Sequence, residues 1–85
     1  FPALDLARRA MERGACAGCV MNGAREVALD AFIAGRLGFL DMARVTGDAM
    51  DALDGLPAAN DLDDIFHADA EARRVGADLV ARYAA

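Results

Sequence analysis

The chain has 85 residues, nine arginines against fourteen acidic side chains, and a formal net charge of −5 at pH 7. That balance argues against nucleic-acid binding, which depends on clustered cations, and here Arg8-Arg9 and Arg73-Arg74 are the only adjacent cations. The hydrophobic share is 56%, but 21 of those residues are alanine and valine plus isoleucine total seven, so composition favours helices over strands.

Absent residue types exclude more. Serine, lysine, tryptophan and glutamine do not occur. Without serine there is neither a Ser-His-Asp nucleophile nor an attachment point for a phosphopantetheine arm. Without lysine there is no Schiff-base chemistry and no phosphate-loop lysine. No apolar run approaches the ~20 residues of a membrane span, and no basic-then-apolar signal opens the chain. The expected setting is cytoplasmic. The start at Phe1-Pro2 rather than methionine reads as a fragment, a processed product or a trimmed piece. Residues 1–85 are expected to form a single helical domain.

The first predicted helix covers about Ala3 to Arg13. Pro2 suits a first helical turn, where its missing N–H is not needed, and Leu4, Ala7, Ala10 and Met11 share one face. Arginines in its last turn complement the helix dipole, and Gly14 stops it. Gly14 to Cys19 reads as a small-residue connection.

The second helix is expected from Asn22 or Gly23 to Ala34. Asn22 can cap it; if the boundary is Gly23, Glu26 lies at the third helical position, where its carboxylate can reach back to the start. Ala24, Val27, Ala28, Ala31 and Phe32 form the inward stripe, and Gly35 is a left-handed terminator. Arg36-Leu37-Gly38 is the turn that follows.

The third helix is expected over Leu40 to Leu53, with Met42, Val45, Ala49, Met50 and Leu53 inward. Gly47 within it costs ~1 kcal/mol relative to alanine. It marks either a kink or a neighbouring backbone that needs the space. Asp54 to Asn60 reads as a loop.

The fourth helix is expected from Leu62 to Arg82. Asp61 caps it, and Asp63 and Asp64 place negative charge on its first turn. Leu62, Ile65, Phe66, Ala72, Val75, Gly76, Leu79, Val80 and Tyr83 form its apolar face. Asp69 interrupts that face and is expected at its edge, paired with Arg73 four residues on. The fold class is all-α, a four-helix bundle.

Three features could carry chemistry. Cys16-Ala17-Gly18-Cys19 is a CxxC, either a redox pair or half of a zinc site. No strand precedes it, and His67 is the only other strong zinc ligand besides carboxylates. Two small residues in a tight connection is the favoured reading. His67 flanks the apolar face without an identifiable orienting partner, so it reads as a solvated or edge histidine. Asp48, Asp51, Asp54, Asp61, Asp63 and Asp64 invite a calcium reading. Counting back from Gly55 puts Met50 and Ala52 where an EF-hand needs oxygen ligands. Those acids are read as caps and solvated charges.

A family pattern runs through Asn22-Gly23-Ala24-Arg25-Glu26-Val27-Ala28, then Ala31-Phe32-Ile33, then Gly38-Phe39-Leu40-Asp41-Met42. Together with Leu62-Asp63-Asp64-Ile65, Asp69-Ala70-Glu71-Ala72-Arg73 and the opening Phe1-Pro2-Ala3-Leu4, it resembles the C-terminal region of 1-deoxy-D-xylulose 5-phosphate reductoisomerase. Family members read Asn-Ala-Ala-Asn-Glu-Val-Ala at the first stretch, so Gly23 and Arg25 are departures that put a long cation into a compact polar motif. The two cysteines stand at positions the family usually fills with small or polar residues.

The resemblance implies an enzyme that isomerises and reduces 1-deoxy-D-xylulose 5-phosphate to 2-C-methyl-D-erythritol 4-phosphate in the non-mevalonate route to isoprenoids. It implies NADPH and a divalent metal, Mg or Mn, held by two preceding domains of the same polypeptide, which are the expected partners. No catalytic, cofactor-binding or metal-binding residue is assigned within this chain. The competing expectation is a free-standing helical interaction module without enzymatic activity. An apolar surface left uncovered could drive self-association of the isolated piece. A redox or metal protein built on Cys16 and Cys19 is the third class.

Overall fold

A computed structural model describes residues 15–55 and 61–84, with side chains from residue 17 onward. They form three helices, α1 (Ala15–Ile33), α2 (Phe39–Ala52) and α3 (Leu62–Ala84), and no strand occurs among the described residues. The all-α class therefore holds. The predicted helix from Ala3 to Arg13, which would make the bundle four-helical, lies outside the described residues.

The second predicted helix is corrected at its start. α1 begins at Ala15, so most of the expected connection is helical and Asn22 lies exposed in mid-helix instead of capping it. Burial overrides the local start signal. Val20 is buried with Met50, Ala68 and Ala72, and Ala17, Cys19 and Met21 pack around that cluster. The apolar surface covered there offsets the ~1 kcal/mol that each of Gly18 and Gly23 costs a helix.

The end of α1 follows the sequence. Gly35 has φ +77°. Its N–H donates to the Phe32 carbonyl at 3.0 Å, and the Arg36 N–H donates to the Ala31 carbonyl at 2.9 Å. These two bonds make a Schellman motif, whose left-handed position an unbranched glycine fills without steric cost. Leu37 then turns inward and is buried with Ala28, Ala31, Val45 and Val80.

α2 starts one residue before its expected start and runs unbroken through Gly47. Val45, Thr46, Ala49 and Met50 form its buried side. The inward set from the sequence omitted Thr46, whose hydroxyl is satisfied locally by donating to the Met42 carbonyl at 2.9 Å. At the start of α3, Asp61 Oδ1 accepts the Asp64 N–H at 2.9 Å, the expected cap.

The buried line of α3 is Ala68, Ala72, Gly76 and Val80, repeating every four residues. It faces the alanine stripe of α1, where Ala24, Ala28 and Ala31 are fully buried. A Cβ on Gly76 would meet Ala24 Cα at 3.5 Å, and one on Gly23 would meet Ala72 Cβ at 3.2 Å. Small side chains therefore set the spacing between α1 and α3. The consequence is a second correction. Leu62, Phe66, Phe32 and Tyr83 were expected inward, yet Leu62 and Phe66 are two-thirds exposed and Phe32 and Tyr83 are over one-third exposed. At ~100° per residue, Phe66 stands ~160° round the helix from Ala68 and ~120° from Ala72, so burying those alanines turns it outward.

Candidate functional site

The motif-bearing segment from Asn22 to Ala28 is not a helix start but the middle of α1, packed on α3. Gly23 and Ala24 are buried, and Asn22, Arg25 and Glu26 are exposed. Across from Gly23 stands Asp69. A Cβ on Gly23 would lie 3.0 Å from Asp69 Oδ1 and 3.3 Å from the Asp69 carbonyl, so the missing side chain gives this carboxylate room.

Arg73 joins the pieces. Its Nε donates to Asp69 Oδ2 at 2.9 Å, the pair expected from the i,i+4 spacing. Its Nη2 also donates to Glu26 Oε2 on α1. The hydrogen bond to Asp69, followed by the one to Glu26, raises the Arg73 pKa still further above its ordinary value. The guanidinium is thus a clasp between α1 and α3, fixed in charge at every accessible pH. Sequence reasoning found the Asp69 half and missed Glu26, which it had assigned to a local capping role. The two residues are 47 apart, and no local spacing signals their contact.

A second tie joins α2 to α3. The Tyr83 hydroxyl donates to Asp48 Oδ2. That bond, then burial, then the Asp48 charge holds the phenol pKa above its usual value. Because the folded pKa is raised, this stabilisation is complete below the ordinary phenol value of ~10 and lost as pH rises through the folded one. As pH rises above ~10, the thermal midpoint of the parent chain should fall more steeply than that of Tyr83→Phe. Melting curves at half-unit intervals test this, and parallel profiles would show the tie contributes nothing.

The remaining candidates do not converge. His67 is exposed on α3. Cys19 is a free, half-buried thiol packed beside the Val20 cluster, and Cys16 has helical backbone. The connection expected around the CxxC is therefore the first turns of α1. Of the acidic residues, Asp48 accepts from Tyr83 and Asp61 caps α3. The pairs Arg74–Glu71 and Arg44–Asp41 lie at the surface, where such bridges contribute little.

The described residues do not fit the two groups that the resemblance implied. A divalent ion needs several convergent oxygen, nitrogen or sulfur donors. Among the described residues no three His, Cys, Asp or Glu side chains are so grouped. Nor does any buried side-chain nitrogen or oxygen among them lack a hydrogen-bond partner that a bound cofactor could supply. Among the described residues the arrangement can hold helices together; it does not bring a nucleophile, a base and an orienting group to one place.

The model of the DXP reductoisomerase C-terminal domain family matches residues 1–75. The chain belongs to this family. Within it, the chain is 59% identical over 80 residues to the 1-deoxy-D-xylulose 5-phosphate reductoisomerase of Rhizobium meliloti (strain 1021), covering 94% of this chain and 20% of that protein. It is 61% identical to the enzyme of the same name from Rhizobium johnstonii, with the same coverage of both chains. For Agrobacterium fabrum the figure is 49%, over 95% of this chain and 20% of the relative. The chain spans about a fifth of the length of the curated relatives it matches. No solved structure matches it. No helix among the described residues is long and apolar enough to cross a membrane.

Membership in the DXP reductoisomerase C-terminal domain family accounts for the motif in physical terms. Glu26, standing where the family motif has its glutamate, anchors the interhelical clasp. Arg25 points to solvent, so the long cation that departs from the family pattern disturbs no packing.

Proposed function

We propose that this chain is the non-catalytic C-terminal helical domain of a cytoplasmic, NADPH-dependent 1-deoxy-D-xylulose 5-phosphate reductoisomerase of isoprenoid biosynthesis. The observation that carries this reading is the family match over residues 1–75 in a chain only about a fifth as long as its relatives. NADPH and a divalent metal belong, in this reading, to preceding domains of the same polypeptide. The domain contributes a packed helical support and no group that touches substrate. The separation of its polar residues supports that division: Arg73, Glu26 and Asp69 tie α1 to α3, Asp48 and Tyr83 tie α2 to α3, and Asp61 caps α3.

The test is NADPH oxidation on 1-deoxy-D-xylulose 5-phosphate with Mg or Mn, run on the native full-length polypeptide and on this chain alone. Turnover is expected from the first and none from the second. Appreciable turnover by the pure chain would overturn the non-catalytic role. A native product no longer than this chain would overturn the domain reading in favour of a free-standing interaction module.

A further inference from the structure

The turn between α1 and α2 carries an apolar surface that the other described residues do not cover. Leu29, Phe32 and Ile33 share one side of the last turn of α1 by i,i+3 and i,i+4 spacing, and Phe39 and Leu40 open α2. Ile33, Phe39 and Leu40 are 73%, 69% and 74% exposed. Phe32 and Phe39 meet edge to face with ring centroids 5.9 Å apart. The Schellman turn at Gly35 fixes the two helix ends in place, so the surface is already organised and little side-chain freedom remains to be lost on contact.

We infer that this corner is the surface on which the preceding part of the same polypeptide docks. The inference rests on the domain reading above. Size selects the occupant. At ~150–200 Å² per side chain, the exposed portions of these residues total on the order of 500 Å², in the range where apolar patches mark contact sites. A stable dimer of separate copies needs ~800 Å² on each partner, more than the corner offers. Interfaces between domains of one chain bury ~600–1,500 Å² in total, so ~500 Å² on one side is what such a contact asks. A tethered partner also arrives at millimolar effective concentration, ahead of any second copy in solution. The relatives hold about four-fifths of their length outside the region this chain matches, which supplies that partner. Its facing surface is apolar.

Hydroxyl-radical footprinting of the full-length polypeptide tests this with controls inside the same chain. Phe39 and Phe66 are of one type and are 69% and 66% exposed, and Leu40 and Leu62 are 74% and 68% exposed. Phe39 should be modified several-fold less than Phe66, and Leu40 several-fold less than Leu62, at every protein concentration. Ratios near one overturn the inference. Protection that disappears on dilution also overturns it, because the cover is then a second copy. Failure of the domain reading is separately visible: the native polypeptide would have the mass of this chain.

Discussion

Gly76→Leu should destabilise the fold by about 3 kcal/mol or more, while Gly76→Ala should be neutral or stabilising by up to ~1 kcal/mol. The difference lies in what the new atoms meet. A Cβ at this position finds Ala24 Cα at 3.5 Å and Val27 Cβ at 3.6 Å, ordinary contact distances, and removes a glycine from mid-helix. Three further carbons would project from that point towards the α1 backbone and force the two helices apart. Ala24, Ala28 and Ala72 are fully buried along the same contact, so no flexible side chain is at hand to yield. A domain of this length has ~4–13 kcal/mol of stability at ~0.05–0.15 kcal/mol per residue, so the leucine variant would lose a large share. Urea titrations of the three proteins settle it. Equal midpoints for leucine and alanine would show that α1 and α3 are not held at this spacing.

Val45→Ala should cost about 2–3 kcal/mol. Among the described residues Val45 is the largest fully buried side chain, and it joins α2 to Ala28, Ala31, Leu37 and Val80. Two methyl groups lost from water-free packing amount to ~1.6 kcal/mol, and the cavity adds to that because its alanine neighbours have few atoms to relax into it. Leu62→Ala deletes a larger side chain that is 68% exposed and should stay within ~0.5 kcal/mol of the parent. Thermal or urea unfolding ranks the two. A larger loss at Leu62 than at Val45 would invert the assignment of inside and outside on these helices.

That inversion is the one the sequence invites. Large residues such as Phe66, Leu62 and Phe32 attract an inward assignment, because burying a large apolar side chain yields more free energy than burying alanine. In this chain the alanines are frequent enough to form continuous lines on α1 and α3. Once those lines close, the larger residues beside them are rotated outward. Their exposure in turn produces the corner around Phe32 and Phe39.

The residue types limited the chemistry open to this chain, since no serine or lysine occurs, and the structure places His67 exposed on α3. The clasp at Arg73 was half legible. Its bond to Asp69 follows from four-residue spacing on one helix, whereas its bond to Glu26 spans 47 residues.

Local chemistry, fixed within about five residues of chain, determined the helical class, the stop at Gly35, the cap at Asp61 and the Asp69–Arg73 pair. Each of these depends on backbone geometry or side-chain reach that neighbouring residues fully define. Only the tertiary structure decided that α1 runs back to Ala15, that the alanine faces meet, and that Glu26 and Asp48 find Arg73 and Tyr83. Those outcomes are set by packing between helices. The burial of Val20 against Met50 and Ala72 outweighs the glycines and the Asn22 start signal that would have ended the helix sooner.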